Sequence, residues 1–534
     1  MSQPIQQVVV VGGGSAGWLT AAVLAAEHPR LSVTLVESPG VAPIGVGEGT
    51  WPSMRETLQR IGVSEAAFFR ECDAAFKQGS RFDGWVDGAA SDTYFHPFSL
   101  PHGHGDANLA AAWQRAHRGT PFADLVSYQP HLCRAGCAPK QPQTPEFAGV
   151  ANYGYHLDAG KFGLFLQRHC VDKLRVRHVQ AHVTDIVSLD NGDIAALRTR
   201  EAGAIEGDLF IDCTGMASLL LGRHYGVPFV SQRDVLFNDR ALAVQVPYPT
   251  PDTPIASQTT STAQACGWTW DIGLPTRRGV GYVYSSVHCG DDEAERTLRA
   301  YLAGTGIVGD IAAPRRIAFD PGYRARFWER NVVAVGLSAG FIEPLEASAL
   351  ALVELSAGWL ADDLPATRAQ MDAVAARFND AFMYRWERII DFLKLHYVLS
   401  KRTDAAYWTD HRAARTRSPR LSELLALWRT RAPAWRDFPR IEEIFPSASW
   451  QYVLYGMGFR PELPERASDL PERADQFFRD AARLTARMLP QLPRTARCST
   501  TSASTACRRA SDRARQPPQQ RQRRDYEPWP TMHP

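Results

Sequence analysis

Nowhere in these 534 residues is there an apolar run both long enough and uncharged enough to span a bilayer. The longest, Val332–Ala361, is broken by Glu343, Glu346 and Glu354, so no membrane association is expected. A charged-then-apolar leader is missing too, because the first strand is expected from Ile5. The nine cysteines are odd in number and scattered. Neither Cys133 and Cys137 nor His102 and His104 has a matching pair at zinc spacing, so all four read as loop residues and no metal is expected. Free thiols without a leader imply a reducing, cytoplasmic setting. Charge of one sign is also lacking. The net charge is +2, and Gln491–Pro534 alone carries +6 from nine Arg and three acidic residues, leaving −4 on the body. A slightly acidic body excludes nucleic acid as the main partner. What remains has the 45% hydrophobic and 22% charged fractions of a globular protein. Length alone allows roughly two to four domains or one elaborate one.

The N-terminal segment carries a nucleotide pattern in full context. Ile5–Val11 is a continuous β run leading into Gly12-Gly-Gly-Ser-Ala-Gly17 and then helical Trp18–Glu27. In this G-x-G-x-x-G pattern Gly12 makes the tight turn, Gly14 lets a pyrophosphate approach and Gly17 lets helix pack on strand, with Ala16 expected among the cofactor-binding residues. A second strand, Ser32–Val36, ends at Glu37, twenty positions after Gly17, where a carboxylate can bond a ribose hydroxyl. Gly45-Val-Gly47-Glu48-Gly-Thr-Trp51 packs glycines around one carboxylate and reads as a second backbone approach to the cofactor. In Phe76–Trp85, Lys77 stands among aromatics; a lysine in an apolar site has a depressed pKa and can serve as nucleophile or acid. His96 and Phe98 follow as an aromatic slot or as core packing.

The stretch around which the chain is organised is Asn331–Leu350. Asn331–Gly336 reads as a buried parallel strand, Leu337–Pro344 as a loop, and Leu345 onwards as a helix whose N-terminus offers free N–H groups to an anion. Glu343 and Glu346 lie in this apolar turn, and a buried carboxylate is costly unless paired or used. Tyr155 opens a helix, and Leu209–Gly215 is a second cofactor-contacting strand end. Trp268 and Trp270 share one face of a strand that pairs with Gly281–Ser286, walling a tunnel or filling a core.

These motifs together resemble the flavin-dependent tryptophan (indole) halogenase family. The matches run over most of Ile5–Pro461 and extend to Asp391–Tyr397 and Ser449–Phe459; Lys77 in its aromatic frame, Trp-x-Trp-x-Ile and Pro-Leu-Glu346 are the specific ones. The resemblance implies an FAD fold of flavin monooxygenase kind, α/β and built on a two-dinucleotide-fold plan, with a mainly helical layer over the substrate. It implies FADH2, oxygen and chloride or bromide as reactants, a separate NAD(P)H-dependent flavin reductase, a small aromatic substrate, and room for a homodimer. Hypohalous acid formed at the flavin would pass to Lys77, and Glu346 would polarise it or stabilise the cationic ring. Ser348 and Ala349 would hold halide, Leu337 and Leu350 would flank the flavin, and Val183 would contact its adenosine half. His96 and Phe98 would sandwich the substrate, and Trp268 and Trp270 would separate its chamber from the flavin. The rival readings are a ring-hydroxylating flavin monooxygenase, which would lack Lys77 and the Pro-Leu-Glu carboxylate, and a non-catalytic flavoprotein.

Three departures accompany the resemblance. Ala347-Ser-Ala349 replaces the family's Ser-Thr-Gly, Gly273 replaces a Pro, and no Tyr occurs between Thr409 and Pro446, where tryptophan-specific members hold the amino-acid end of their substrate. Halogenase residues are expected over about 1–490. The FAD part comes from about 1–75, 150–225 and 300–365, and the substrate part from about 76–149, 226–299 and 366–490. Helices are expected over Arg368–Lys401, Leu421–Arg429 and Pro464–Leu489, and the Arg-rich 491–534 tail is expected to be disordered.

Overall fold

The computed structural model describes residues 4–40, 47–250, 253–307, 311–464 and 471–495. The Gly45–Val46 start of the second glycine segment, the first residues of the last expected helix and the tail beyond 495 lie outside the described residues. Two sheets carry the architecture, which is mixed α/β. The first has six strands in the order Trp328–Glu329, Val332–Ala334, Leu209–Asp212, Gln7–Val11, Ser32–Glu37, Arg177–Gln180. All neighbours are parallel except the antiparallel Trp328–Glu329 edge. Its Gln7–Val11 strand carries four valines in a row, all buried, as a parallel strand covered on both faces requires. The Ser15–Glu27 helix is apolar nearly all round because it packs against both Ser348–Asp362 and Ala159–Asp172.

The second sheet has seven strands: Arg315–Ala318, Arg240–Val246, Arg278–Tyr284, Gly267–Gly273, Thr259–Gln264, Gly79–Asp83, Thr93–Pro97. The expected pairing of the two-tryptophan strand is found, with Trp270 opposite Gly281 and Trp268 opposite Val283. A small sheet, Gly47–Gly49 with Gly154–Asp158 and Ala75–Lys77, lies against the seven-stranded one. Here the expected helix from Tyr155 is corrected. Tyr155 lies in a strand, and the helix starts at Ala159, capped by the Asp158 carboxylate on Lys161 N–H. Cys133 belongs to the short Gln129–Arg134 helix rather than a loop. Helices Arg368–Leu399, Pro419–Leu427 and Ser447–Gly456 form a further helical group, and Pro471–Met488 packs on the short helices Leu109–Ala116, Phe122–Val126 and Gln129–Arg134. The 32-residue Arg368–Leu399 helix is buried continuously from Arg388 to Tyr397, so its C-terminal third is core and carries polar groups inward. Among the described residues no helix is long and apolar enough to cross a membrane.

Trp270 depends on a niche only glycine can make. A Cβ on Gly281 would fall 2.1 Å from the Trp270 ring and 2.4 Å from the Leu242 carbonyl oxygen. Gly281→Ala is therefore expected to destabilise the protein by about 1–3 kcal/mol, the range for overpacking a core. Urea unfolding followed by circular dichroism measures it, and an unchanged midpoint would show that the niche is loose.

Candidate active site

The described residues enclose a cavity of about 890 Å³ where the two sheets meet. Gly12, Gly14, Ala16, Glu37, Gly47, Glu48, Val183, Leu337 and Leu350 all line it. Gly12 has φ 118°, and a Cβ on Gly14 would find nothing within 4 Å, so the backbone lies bare to the cavity there. The N–H groups of the first turn of Ser15–Glu27 open on the same side and lack intrahelical partners. Gly17 does not reach the cavity. A Cβ there would strike the Gly12 carbonyl oxygen at 1.9 Å, so this glycine serves the helix-on-turn packing expected of it. Glu37 accepts from His178 Nε2 at 2.8 Å and reaches back over Gly13. Glu48 is half-buried on the cavity wall, and burial pushes its carboxyl up to about 7.

Lys77 and Glu346 line this same cavity. Lys77 ends the Ala75–Lys77 strand, is 1% exposed, and forms no hydrogen bond or ion pair through its side chain among the described residues; its ammonium lies 5.4 Å above the Phe98 ring. Burial lowers its pKa to about 8, and the Glu346 charge limits the fall. A buried lysine with a lowered pKa can serve as a proton donor or, once deprotonated, as a nucleophile.

Glu346 is held from three directions. Its backbone is left-handed (φ 64°), as is that of Ala347 (φ 56°), and neither is a residue that tolerates this freely. The Trp51 indole N–H donates to the Glu346 carbonyl at 2.7 Å, and Ala347 N–H closes onto Pro344 O at 3.0 Å. These two left-handed residues delay the helix to Ser348, three positions after the expected Leu345 start, and Ser348 and Ala349 face the cavity at its first turn. The Glu346 carboxylate lies 2.8 Å from His96 Nδ1, which must carry the proton because an ionised carboxylate only accepts. His396 Nε2 stands 3.4 Å from the same oxygen without the alignment of a hydrogen bond, and its Nδ1 is 2.6 Å from the Tyr94 hydroxyl. Burial alone would raise the Glu346 carboxyl; His96, then His396, outweigh it and hold it well below the usual range.

His96, Phe98 and Trp268 do not line this cavity, whereas Trp270 does. The cavity runs unbroken from the glycine turn to Lys77 and Glu346. Trp268 is drawn back from the cavity onto Glu343, leaving Trp270 as the wall. His96 is tied to Glu346, and its ring also lies 5.6 Å from Phe392 and 6.5 Å from Phe445. Phe445 stacks on Phe392 at 3.8 Å and meets Trp51 edge-on at 5.2 Å. Sequence reasoning passed over Tyr94, Phe392, His396 and Phe445. Phe392 and His396 stood in the Asp391–Tyr397 match, and their i, i+4 spacing on a helix was the signal available.

The profile of the family described as Tryptophan halogenase matches residues 7–472. The tryptophan 6-halogenase SttH of Streptomyces toxytricini is 34% identical over 513 residues, 91% of this chain and 96% of that protein. Among solved structures, a tryptophan halogenase from Shewanella frigidimarina is 50% identical with a TM-score of 0.91, covering 94% of this chain and 98% of that one. A flavin-dependent halogenase from Xanthomonas campestris is 32% identical with a TM-score of 0.84, covering 93% and 98%.

Lys77 is expected to titrate at about 8. Because the Glu346 charge raises that value, Glu346→Gln should move it lower. The pH dependence of Lys77 acylation in the resting protein, followed by peptide mass spectrometry, reads both numbers. A Lys77 that titrates like free lysine, or that ignores the Glu346 change, contradicts this electrostatic picture.

Proposed function

Because this chain belongs to the flavin-dependent tryptophan halogenase family, we propose that it halogenates a simple indole or similar electron-rich ring at Lys77 and Glu346. The observation that carries this reading is the pair itself: a buried, unbonded lysine and a buried, histidine-held carboxylate on one cavity with a dinucleotide cradle. The residues fit FAD. Gly12–Gly14 and the N-terminus of Ser15–Glu27 would take the pyrophosphate, Glu37 a ribose hydroxyl, Val183 the adenosine side, and Gly47, Glu48, Leu337 and Leu350 the ring half. When bound in its reduced form, FAD supplies the two electrons that, with oxygen and halide, give hypohalous acid.

This chain's own residues direct the halogen from there to the ring. Ser348 and Ala349, at the first turn of Ser348–Asp362, would hold chloride or bromide on backbone N–H groups, which survive the loss of the family's hydroxyl at Ala347. Lys77 would bind hypohalous acid through its oxygen or take the halogen onto its amine. Glu346, kept ionised by His96 and His396, would stabilise the positive charge that develops on the ring and receive its proton. Lys77 would then stand at the junction of the FAD-binding and substrate-binding segments, beside Gly49, where a Cβ would meet its Nζ at 3.0 Å.

By the resemblance, His96 and Phe98 would flank the aromatic ring from behind the cavity wall, which neither reaches in this structure, stacking being worth about 1 kcal/mol beyond area burial. Support for a simple indole over free tryptophan comes from the arginines beyond Leu421. Arg431 is paired with Asp437, Arg436 lies over its neighbour Trp435 at 5.0 Å, and Arg429 is exposed. Trp428 donates to the same Asp437 at 3.0 Å, and Phe438 stacks on Trp450, so these two rings are core while Trp435 is exposed.

Lys77→Ala should abolish halogenation while FAD still binds, and Glu346→Gln should slow it by roughly 10²-fold, the scale for one positioned proton-transfer group. Indole should exceed L-tryptophan in kcat/KM by at least about tenfold, since each unpaired ionic end costs roughly 1–3 kcal/mol. Competition assays at one bromide concentration, read by bromine isotope pairs, check all three. A clear preference for L-tryptophan would reveal an amino-acid clamp. The chain should also need a flavin reductase, since a single dinucleotide fingerprint is present. NADH oxidation by the purified chain alone would refute that.

A further inference from the structure

Three residues before Glu346 lies a second buried carboxylate that the proposed reaction does not use. Glu343 is 0% exposed. Its Oε2 accepts three hydrogen bonds, from Trp268 Nε1 at 2.6 Å, Asn238 Nδ2 at 2.6 Å and the Tyr397 hydroxyl at 2.7 Å. Its Oε1 is buried without a hydrogen-bond partner among the described residues. An arrangement serving stability alone would spread donors over both oxygens; here all three converge on one, and one of them is the indole behind the cavity wall.

That indole bears directly on the wall. The Trp268 ring lies 6.4 Å from Trp270 on one side and 6.2 Å from Trp85 on the other. Trp270 lines the cavity and is seated on the bare backbone of Gly281. Trp270 is therefore held between a glycine that cannot yield and an indole whose orientation is fixed by a single acceptor. Trp85 is itself fixed, with Nε1 donating to Ser261 O at 3.0 Å. Without the acceptor at 343, a buried indole N–H would have to turn to find another, and Trp270 would lose its backing.

We propose that Glu343 is a positioning residue that holds Trp268, and through it Trp270, so that hypohalous acid reaches Lys77 instead of escaping the cavity. This rests on the halogenase reading and extends it to the fate of the oxidant. The charge on Glu343 is not what the role needs; a good acceptor at Oε2 is. Glu343→Gln can place its amide oxygen where Oε2 stands and its NH2 where Oε1 has no partner, so it should keep the wall. Glu343→Leu removes the acceptor and should breach it. Trp268→Phe should behave like Glu343→Leu, and the double variant should be no worse than either single one.

The experiment couples each variant to a flavin reductase with bromide and indole, and measures bromoindole formed per NADH consumed. Free hypobromous acid is read in parallel as ring bromination of a soluble phenol polymer too large for the cavity. In Glu343→Leu the product ratio should fall by about fivefold, the ratio an ordinary hydrogen bond sustains, with a matching rise in the polymer signal. Glu343→Gln should stay near the wild-type ratio. Crystals of Glu343→Leu should show the Trp268 ring displaced, a readout that does not depend on turnover. An unchanged product ratio in folded Glu343→Leu, or Glu343→Gln leaking as badly as Leu, overturns the inference. If Glu343→Leu does not fold, Trp268→Phe decides it by the same ratio. If even wild type yields neither bromoindole nor polymer bromination, the halogenase reading has failed, and a Trp268 ring unmoved in Glu343→Leu crystals refutes the positioning role separately.

Discussion

The contact between the Glu346 carboxylate and His96 Nδ1, 2.8 Å long and almost fully buried, is the constraint on which the site depends. An isolated carboxylate at that depth would give up its charge, because desolvation costs several kcal/mol. The imidazole reverses this, and His396 at 3.4 Å adds to it, so a group that burial would neutralise stays ionised. The same ionised group then acts across the cavity on Lys77, whose pKa would fall further without it. One short contact thus keeps Glu346 ionised and, through it, limits the fall of the Lys77 pKa. It also binds distant parts of the chain together. His96 comes from the edge strand of the seven-stranded sheet, His396 from the long helix, and Trp51, on the Glu346 carbonyl, from the segment after the second glycine loop.

The small three-stranded sheet passes into the seven-stranded one where Lys77 stands. Lys77 ends one strand, Gly79 starts the next, and Gln78 between them is wholly buried. Gln78 N–H donates to Ser257 O at 2.7 Å, its carbonyl accepts from Phe98 N–H at 3.1 Å, and its side chain donates to Cys137 O at 2.8 Å. A residue that commits nearly all its polar groups to three separate segments makes a rigid joint, and a lysine beside it inherits that rigidity. The side chain can therefore stay free of hydrogen bonds and still be placed, because the backbone that carries it is fixed.

What the sequence reveals and what it hides divide by range. Local patterns were readable: the valine strand into Gly12–Gly17, Glu37 at the end of the second strand, the two tryptophans on one face, and a lysine whose aromatic neighbours announce an apolar site. Misreadings arose where a distant partner decides the conformation. Tyr155 looks helical from its own neighbourhood, yet pairing with Phe76 and with the Gly47–Gly49 strand makes it extended. The helix after Pro344 should begin at Leu345 by apolar spacing, but Glu346 and Ala347 adopt positive φ, which neither residue advertises as a glycine or asparagine would. His96 read as a stacking residue because its partner, Glu346, is 250 positions away. His396 and Phe445 meet the site only through the helical layer, whose packing no local spacing encodes.

The Glu343-Pro-Leu-Glu346 turn gives two carboxylates of one turn opposite electrostatic fates, and the difference fits the two roles proposed for them. Burial raises both. At Glu346 the neighbours are histidines that answer a negative charge, so the carboxyl stays low. At Glu343 the three donors are neutral, and burial wins, so its carboxyl sits above the usual range. Lys394, the nearby ammonium, is itself lowered to about 6 by burial and is bound to Val235 O and His411, so it offers little compensating charge. A proton arriving at Glu343 can settle on Oε1, which has no partner to lose, while Oε2 keeps its three bonds. Glu343 can thus hold its neighbours in either protonation state, as a structural anchor must. Glu346 cannot: its contact with His96 and its action on Lys77 both require the charge. Pushing two nearby acids apart in this way is how a fold assigns one to chemistry and one to architecture.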